Sequence, residues 1–597
     1  MSKLTDLKSA TSRGDVAALL QTTLQGLTFI LYNNPIASRY LAFEIPKRGG
    51  GKRLIKAPDD RLKLLQRKLS EVLQDCLDEI NAERKVKHNI AHGFMRKRSI
   101  VTNAREHRNR RWVFNLDLQD FFPSIHFGRV RGFFIQDKNF KLAANVATML
   151  AQIACDGNAL PQGSPCSPVI SNLVAHILDM HIVRLASAVG CTYSRYADDL
   201  TFSTNKKDFP QEIAIASEAE PHVWSPGRRL LEIIEHSDFK VNARKTRMQY
   251  RDTRQDVTGL VVNRKVNVRR EYRHNVRAMV HSLFTTGSFQ VYGPVTKNGV
   301  TTLGKRDGSL DELHGRLGFI DGIDLYNKRI SDEKEDPDHL STKESMYRRF
   351  LIYRDFYTAK TPVILCEGKT DNVYIKHAIR SLAAQFPDLA SVDEDGKPRL
   401  KIRIYKYAKS STARILGLKD GGTSHLNKFI GNYKRDTDKF SAAGLTNPLI
   451  VLFDNDSGAK PICSAFREAK SGKKSLNLKD PFAHVIKNLY VVPTPLPEGK
   501  EESKIEDFFD AATKGRIVGG KTFSDKNDSK DTRHYGKSIF AEAVVATHAQ
   551  TIEFSGFIPL LKNISMVIQE HAKRVADEPK MGSEQNISML PPASSLQ

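Results

Sequence analysis

Apolar and polar positions follow different rhythms along the chain. From Asp59 to Ile80, DDRLKLLQRKLSEVLQDCLDEI returns an apolar residue every three or four positions and places basic residues on the other face, which predicts an amphipathic helix. A second helix is expected over 145–158, and a Gly/Pro-punctuated loop leading into a helix over 160–186. VFNLDLQDFFPSI (113–125) reads as a strand running into a Pro-marked turn. CTYSRY and LTFST, joined by a turn at ADD, predict a β-hairpin. Segments 236–250 and 257–265 look strand-rich, and a basic helical region starts near 271 and is expected to reach about 325. Past 360 the rhythm changes again. Short, wholly apolar runs (PVILC, LIVLF, NLYVVP) alternate with helical patterns, which predicts a mainly parallel sheet.

At 597 residues the chain is too long for one core. The expected organisation is a first domain over 1–325, a charged linker over 326–360, a second α/β domain over 361–515, and a mostly helical extension over 516–597 with a frayed tail after Asn586. No run of about 18 uninterrupted apolar residues occurs, so no membrane span is expected. The opening MSKLTDLKSATSRGD lacks the apolar core of a secretory signal. The six cysteines are scattered without a CxxC pair, so neither a disulfide framework nor a zinc site is expected, and the cytoplasm is the expected compartment. Charge changes the picture most. Lys plus Arg outnumber Asp plus Glu by 92 to 68, a net +24, which points to a polyanionic partner such as nucleic acid.

Against this basic background, one acidic constellation stands out. Asp117 ends an apolar strand, and Asp198 and Asp199 stand together at the hairpin turn. A lone acidic pair in a turn is ordinarily a solvated one. Three carboxylates from two strands that converge would instead suit Mg²⁺, a hard ion that prefers oxygen ligands. YADD (196–199), NLDLQDFFPSI (115–125) and LPQGSPCSPVISN (160–172), in this order and at these separations, resemble the motifs of reverse transcriptases. The resemblance implies a right-hand polymerase of fingers and palm (about 25–265) and thumb (about 266–325) that takes dNTPs and works with two Mg²⁺ ions. It makes Asp117 and Asp198 the main metal ligands, Asp199 a supporting acid, and adds Leu118 to the metal set. Phe122 falls where the family places its sugar gate. Gln162 and Gly163 would line the nucleotide and template. Lys245 is the candidate proton donor to pyrophosphate, and Lys52, Arg53 and Lys56 would meet triphosphate or template. GGGK is not a phosphate-binding P-loop, because the downstream Ser/Thr and the spacing are wrong.

NAREH (103–107) and VTG (257–259) narrow the resemblance to the bacterial retron reverse transcriptases. It implies RNA-binding roles for Asn103, His107, Val257, Thr258 and Gly259. It also implies a cognate structured non-coding RNA as partner, priming at a 2′-hydroxyl, branched multicopy single-stranded DNA as product, and a part in antiphage defence. The basic stretch 95–111 and Arg269, Arg270, Arg273 and Arg277 fit phosphate contact. Two alternatives are a group II intron-type maturase, for which neither an HNH endonuclease nor a maturation region is visible, and an RNA-binding scaffold with an inactive polymerase.

The second half repeats the acidic theme. Glu367 follows PVILC, and Asp454 and Asp456 follow LIVLF. In a parallel sheet such strand ends share one edge, and alternate residues of an extended chain point the same way. EGKTD, DGGTSH (420–425) and DNDSG resemble the TOPRIM domain of topoisomerases, primases and OLD-family nucleases. SKIEDFF (503–509) extends the likeness to the OLD type and adds Glu506 and Asp507 as weaker candidates. The resemblance implies further Mg²⁺ at Glu367, Asp454 and Asp456, with Glu367 as general acid/base or ligand. No nucleophilic-tyrosine domain and no zinc-binding domain is visible, which leaves a nuclease with a nucleic-acid target, and fusion to a retron-type polymerase suggests a toxic effector restrained by the RNA–DNA complex. EGKT is not Walker A, since Val363 stands where the upstream glycine belongs. Whether the chain forms a homo-oligomer is left open by the sequence.

Overall fold

The computed structural model describes residues 2–35, 38–47, 51–83, 90–220, 222–297, 300–332, 339–407, 410–419, 421–524 and 533–577. The tail expected to fray after Asn586 lies outside them, as do Gly49, Gly50 and Asp420. The chain forms two compact units. The first comprises Met1–His274, Tyr292–Arg306 and Gly322–Glu333; the second comprises Asn275–Val291, Asp307–Asp321 and Lys334–Gln597.

In the first unit, the hairpin β1–β2 (Tyr40–Pro46, Lys52–Pro58) precedes α1 (Asp60–Glu83), the amphipathic helix expected from 59–80. The short helix α2 (Ile100–Glu106) leads into β3 (Trp112–Asp117), and α3 (Ser167–Ala188) leads into β4 (Thr192–Tyr196) and β5 (Asp199–Thr204). With β6 (Arg247–Tyr250) these strands form one antiparallel sheet in the order β4-β5-β3-β6. Its apolar face packs on α3 and neighbouring helices through Phe114, Leu116, Leu200, Phe202, Ile170 and Leu178. By length and composition alone α3 could cross a membrane; here 61% of its most apolar window is buried inside the protein.

Sequence and structure differ over 271–325. Helix α4 (Arg270–Thr286) is followed by a β-hairpin, Gln290–Lys297 with Val300–Asp307, before α5 (Leu310–Ile330) begins. The stretch carries β-branched residues (Val291, Val295, Thr296, Thr301 and Thr302) on either side of its middle, and their strand preference overrides helix extension.

The second unit also departs from the expected linker over 326–360. Helix α6 (Thr342–Ile352) buries Tyr347, Phe350, Leu351 and Ile352, and its Arg348 pairs with Asp436 at 2.8 Å. Phe284 stacks near Tyr353 and Phe440, with ring centroids 5.4 and 4.6 Å away. These apolar contacts tie 275–291 to 342–357, so no single boundary near 325 separates the units. The unit's sheet has five strands in the order β8-β7-β9-β11-β10: β7 (Val363–Cys366), β8 (Arg403–Ile404), β9 (Leu449–Phe453), β10 (Ala483–Ile486) and β11 (Leu489–Pro493). All pairings are parallel except that of β10 with β11. The C-terminal segment shares this core, with Phe540, Phe557, Leu561 and Ile564 packed among Ile364, Ile450 and Tyr490.

Candidate active site

The acidic residues of the first unit are brought together by strand register. Asp117 is the last residue of β3 and pairs directly with Asp199, the first of β5. Directly opposite residues of an antiparallel pair share a face. Asp198 occupies the turn between β4 and β5, and its carbonyl accepts from the Leu118 amide at 2.9 Å. Ala197 takes a left-handed conformation (φ 57°) to make that turn. The buried Asp117 carboxylate accepts from Asn242 Nδ2 at 3.2 Å and from Lys245 Nζ at 2.8 Å. Leu118 buries its side chain, so only its backbone carbonyl is suited to a metal ion.

Three neighbouring like charges are costly, and the electrostatics record it. Burial raises the Asp198 carboxyl, and the charge of Asp117 adds to the effect. Asp199 stands out toward solvent, yet the protein around it withdraws water, and with the charges of Asp198 and Asp117 this pushes its carboxyl up to about 7. Burial works against the Lys245 ammonium, but the hydrogen bond to Asp117 and the fields of all three aspartates outweigh it, so its net shift is upward. As arranged, no group of three His, Cys, Asp or Glu side chains among the described residues closes on a single point. The donor set is nonetheless all-carboxylate, and the Lys245 ammonium marks where positive charge settles on it. Those features fit Mg²⁺.

Phe122 is half-buried, with its ring centroid 5.5 Å from that of Phe121. The Gln162 carbonyl accepts from the Lys56 amide at 2.8 Å. Gly163 (φ 126°) is required there, since a Cβ would lie 2.6 Å from the Lys56 carbonyl. The charge of Arg53 reaches the site, where it helps hold the Asp198 carboxyl down. Lys52 is exposed and paired with Glu44 at 2.7 Å, and Lys56 is paired with Asp156 at 2.6 Å.

Asn103, His107 and Val257, for which RNA-binding roles are expected, are all fully buried, and the contacts of Asn103 and His107 are within the protein. His107 bonds Ser203 Oγ through Nδ1 at 2.8 Å and Ser194 Oγ through Nε2 at 2.7 Å. Ser194 in turn donates to Asn103 Oδ1 at 2.6 Å. The Ser194 proton is therefore committed, so Nε2–H donates to Ser194 and Nδ1 accepts from Ser203. Ser194 and Ser203 flank the acidic turn on β4 and β5, so the motif binds α2 to the hairpin from within. Burial, with Arg110 nearby, lowers the His107 pKa to about 3, which keeps the ring neutral as this chain of bonds requires. In VTG, Thr258 Oγ1 donates to the Ile100 carbonyl of the same helix at 3.1 Å, and Gly259 alone is exposed.

Arg195 is a site residue that sequence reasoning missed. It is fully buried, paired with Asp179 through Nε (2.9 Å) and Nη2 (2.7 Å), and its Nη1 donates to the Ala197 carbonyl at 3.1 Å. A lone arginine inside a strand was its only signal.

In the second unit, Glu367 and Asp454 lie just past the ends of the neighbouring strands β7 and β9. Glu367 Oε2 accepts from the Asp454 amide at 3.2 Å, and Oε1 from Thr423 Oγ1 at 2.8 Å. Gly421 (φ 78°) rests on Glu367, where a Cβ would lie 2.7 Å from its carbonyl oxygen. Asp454 Oδ1 accepts from the Ile505 amide at 3.0 Å. Burial, then the charges of Asp371, Glu506 and Glu367, push the Asp454 carboxyl up to about 8. Asn455 between the two acids turns inward to Thr494 and Leu478, while Asp456 Oδ1 caps the Gly458 amide at 2.8 Å. Of the two weaker candidates, buried Glu506 belongs to the cluster; Asp507 instead caps the Lys504 amide at 2.9 Å. Lys537, also missed, pairs with Glu506 at 3.0 Å, and Asp371 caps the Gly368 amide at 2.7 Å.

The family model for reverse transcriptase (RNA-dependent DNA polymerase) matches residues 45–271. Among curated proteins, the chain is 36% identical over 285 residues to the retron Mx65 reverse transcriptase of Myxococcus xanthus, which covers 45% of this chain and 62% of that protein. It is 34% identical to the retron Mx162 reverse transcriptase of the same organism, over 53% of this chain and 64% of that protein. The chain thus spans less than two thirds of either Myxococcus relative. The alignment with the retron Ec86 reverse transcriptase of Escherichia coli is 31% identical and covers 53% of this chain and 85% of that protein. A solved telomerase from Candida albicans, in complex with a fragment of telomeric RNA, aligns at a TM-score of 0.32 and 10% identity, over 56% of this chain and 66% of that one. On the identity to the Escherichia coli protein across most of its length, the chain belongs to the retron reverse transcriptase family.

Proposed function

We propose that the first unit is an RNA-directed DNA polymerase. The observation that carries this reading is the register of Asp117 against Asp199, with Asp198 in the adjoining turn. Asp117 and Asp198 would hold Mg²⁺, with Asp199 in support and the Leu118 carbonyl alongside. Mg²⁺, when bound, lowers the pKa of an attacking hydroxyl and stabilises charge on the leaving pyrophosphate. Lys245 keeps its proton at neutral pH, which suits it to protonate pyrophosphate. Gln162, Gly163 and Arg53 line the approach of nucleotide and template, and Phe122 excludes a 2′-hydroxyl.

The finer reading is that this polymerase starts on the 2′-hydroxyl of a cognate structured RNA and makes branched multicopy single-stranded DNA. Arg105, Arg108, Arg111 and Arg251 are exposed and suited to RNA phosphates, and Gly259 is exposed. The test is synthesis on co-expressed cognate RNA, followed by treatment with a 2′–5′ debranching nuclease. A product that shifts on debranching agrees with this reading; a linear product extended from a 3′-end contradicts it.

We further propose that the second unit is a TOPRIM-type nuclease with Mg²⁺ at Glu367, Asp454 and Asp456, acting as an effector in antiphage defence. The four-stranded parallel array, with Glu367 and Asp454 at neighbouring strand ends, supports it. Glu367→Ala and Asp454→Ala are each expected to abolish toxicity and phage protection. Protection that survives both substitutions rules the effector role out.

A further inference from the structure

Phe94 holds a left-handed backbone conformation, φ 60°. For a bulky residue this is strained, and such strain persists only where the surroundings over-determine it. Here they do. Asn172 Nδ2 donates to the Gly93 carbonyl at 2.7 Å, and Gln74 Nε2 to the Phe94 carbonyl at 2.9 Å. The His92 amide donates to the Arg195 carbonyl at 2.8 Å. Gly93 is pressed onto the acidic turn, where a Cβ would lie 2.6 Å from the Ala197 amide nitrogen and 3.2 Å from the Tyr196 carbonyl carbon. All this pinning leaves part of a large ring in solvent: Phe94 is 39% exposed. Its ring centroid is 6.1 Å from that of Phe122. Core packing alone does not account for the arrangement, because an apolar ring is stabilised by burial and the pinned backbone leaves part of this one in solvent.

We propose that Phe94 is a specificity-determining residue of the nucleotide site, its ring forming with that of Phe122 one apolar wall against the sugar of the incoming nucleotide. Such a wall offers no hydrogen-bond partner to a 2′-hydroxyl, which would lose its water without compensation. A deoxyribose bears no such penalty. The ligand class is therefore the 2′-deoxynucleoside triphosphate, selected over the ribonucleoside triphosphate. This inference rests on the polymerase reading.

Single-nucleotide incorporation by the full chain, with dNTP and the matching rNTP, tests it. Glycine accepts φ 60° without strain, so Phe94→Gly removes the ring and keeps the backbone path. Phe94→Gly is expected to lower the dNTP-to-rNTP ratio of kcat/KM by about tenfold, the scale of one lost apolar contact, without lowering the melting temperature. Phe94→Leu, which keeps an apolar side chain at the wall, is expected to retain more of the wild-type ratio than Phe94→Gly. A ratio unchanged in Phe94→Gly while Phe122→Ala lowers it overturns the role of Phe94 and leaves the polymerase reading intact. Equal losses for dNTP and rNTP, with the ratio fixed, overturn the specificity role as well. A wild type that incorporates neither nucleotide overturns the polymerase reading and this inference with it.

Discussion

At the scale of single residues, Asp198 and Asp199 are tolerable because of what surrounds them. Lys245 pairs with Asp117, and Arg195, itself paired with Asp179, braces the turn by bonding the Ala197 carbonyl. Removing one partner of a buried pair leaves the other uncompensated, so Arg195→Met is expected to destabilise the protein by about 3–5 kcal/mol in chemical denaturation. A loss no larger than that of a surface substitution would contradict the bracing role. The acidic pair and its partner Asp117 were legible in the sequence, because a run of motifs in fixed order carried them. Arg195 was not, because its partners Asp179 and Asn172 come from a helix and only folding brings them together. Lys537 was hidden for the same reason, lying 31 positions from Glu506.

At the scale of elements, the hairpin β4–β5 and the helix α2 act as one piece through His107. Short motifs are readable as markers of a branch, but not as contacts. Asn103 and His107 mark this family, yet they face inward. The ring's neutrality has a consequence for stability. An unfolded His107 takes up a proton below about 6.5, while the folded one stays neutral until about 3. The unfolded state therefore binds more protons between those values. The contribution is fully present above about 6.5 and falls as the pH drops toward 3, by up to about 1.4 kcal/mol per pH unit. Melting curves from pH 7 to 4 are expected to be steeper in pH for the wild type than for His107→Gln; parallel curves would contradict the buried neutral ring. His107→Ala is also expected to speed amide exchange across 192–204 and to slow primer extension, and unaltered exchange there would break the link to the hairpin. The hairpin over 290–307 shows a different limit. Its β-branched residues were present in the sequence, but the basic helical run before them masked the change of rhythm.

At the scale of the molecule, two acidic sites stand in two units with separate cores. The strand ends carrying Glu367 and Asp454 were readable, since buried parallel strands appear as short apolar runs. The extent of each unit was not, because Phe284 and Phe350 look like members of a charged, helical region until their packing is seen. Separate cores imply separable defects. Asp454→Ala is expected to leave dNTP incorporation at the wild-type rate, measured on a fixed RNA template; a parallel loss would contradict the division of labour.

The most direct test of the central claim is extension of a DNA primer on an RNA template with Mg²⁺, comparing the wild type with Asp198→Asn. The substitution keeps the side-chain shape and removes the charge. The wild type is expected to extend the primer, and Asp198→Asn to fall by about a thousandfold or more, the scale of losing a principal electrostatic contributor. Extension by Asp198→Asn at the wild-type rate would contradict the assignment of the site.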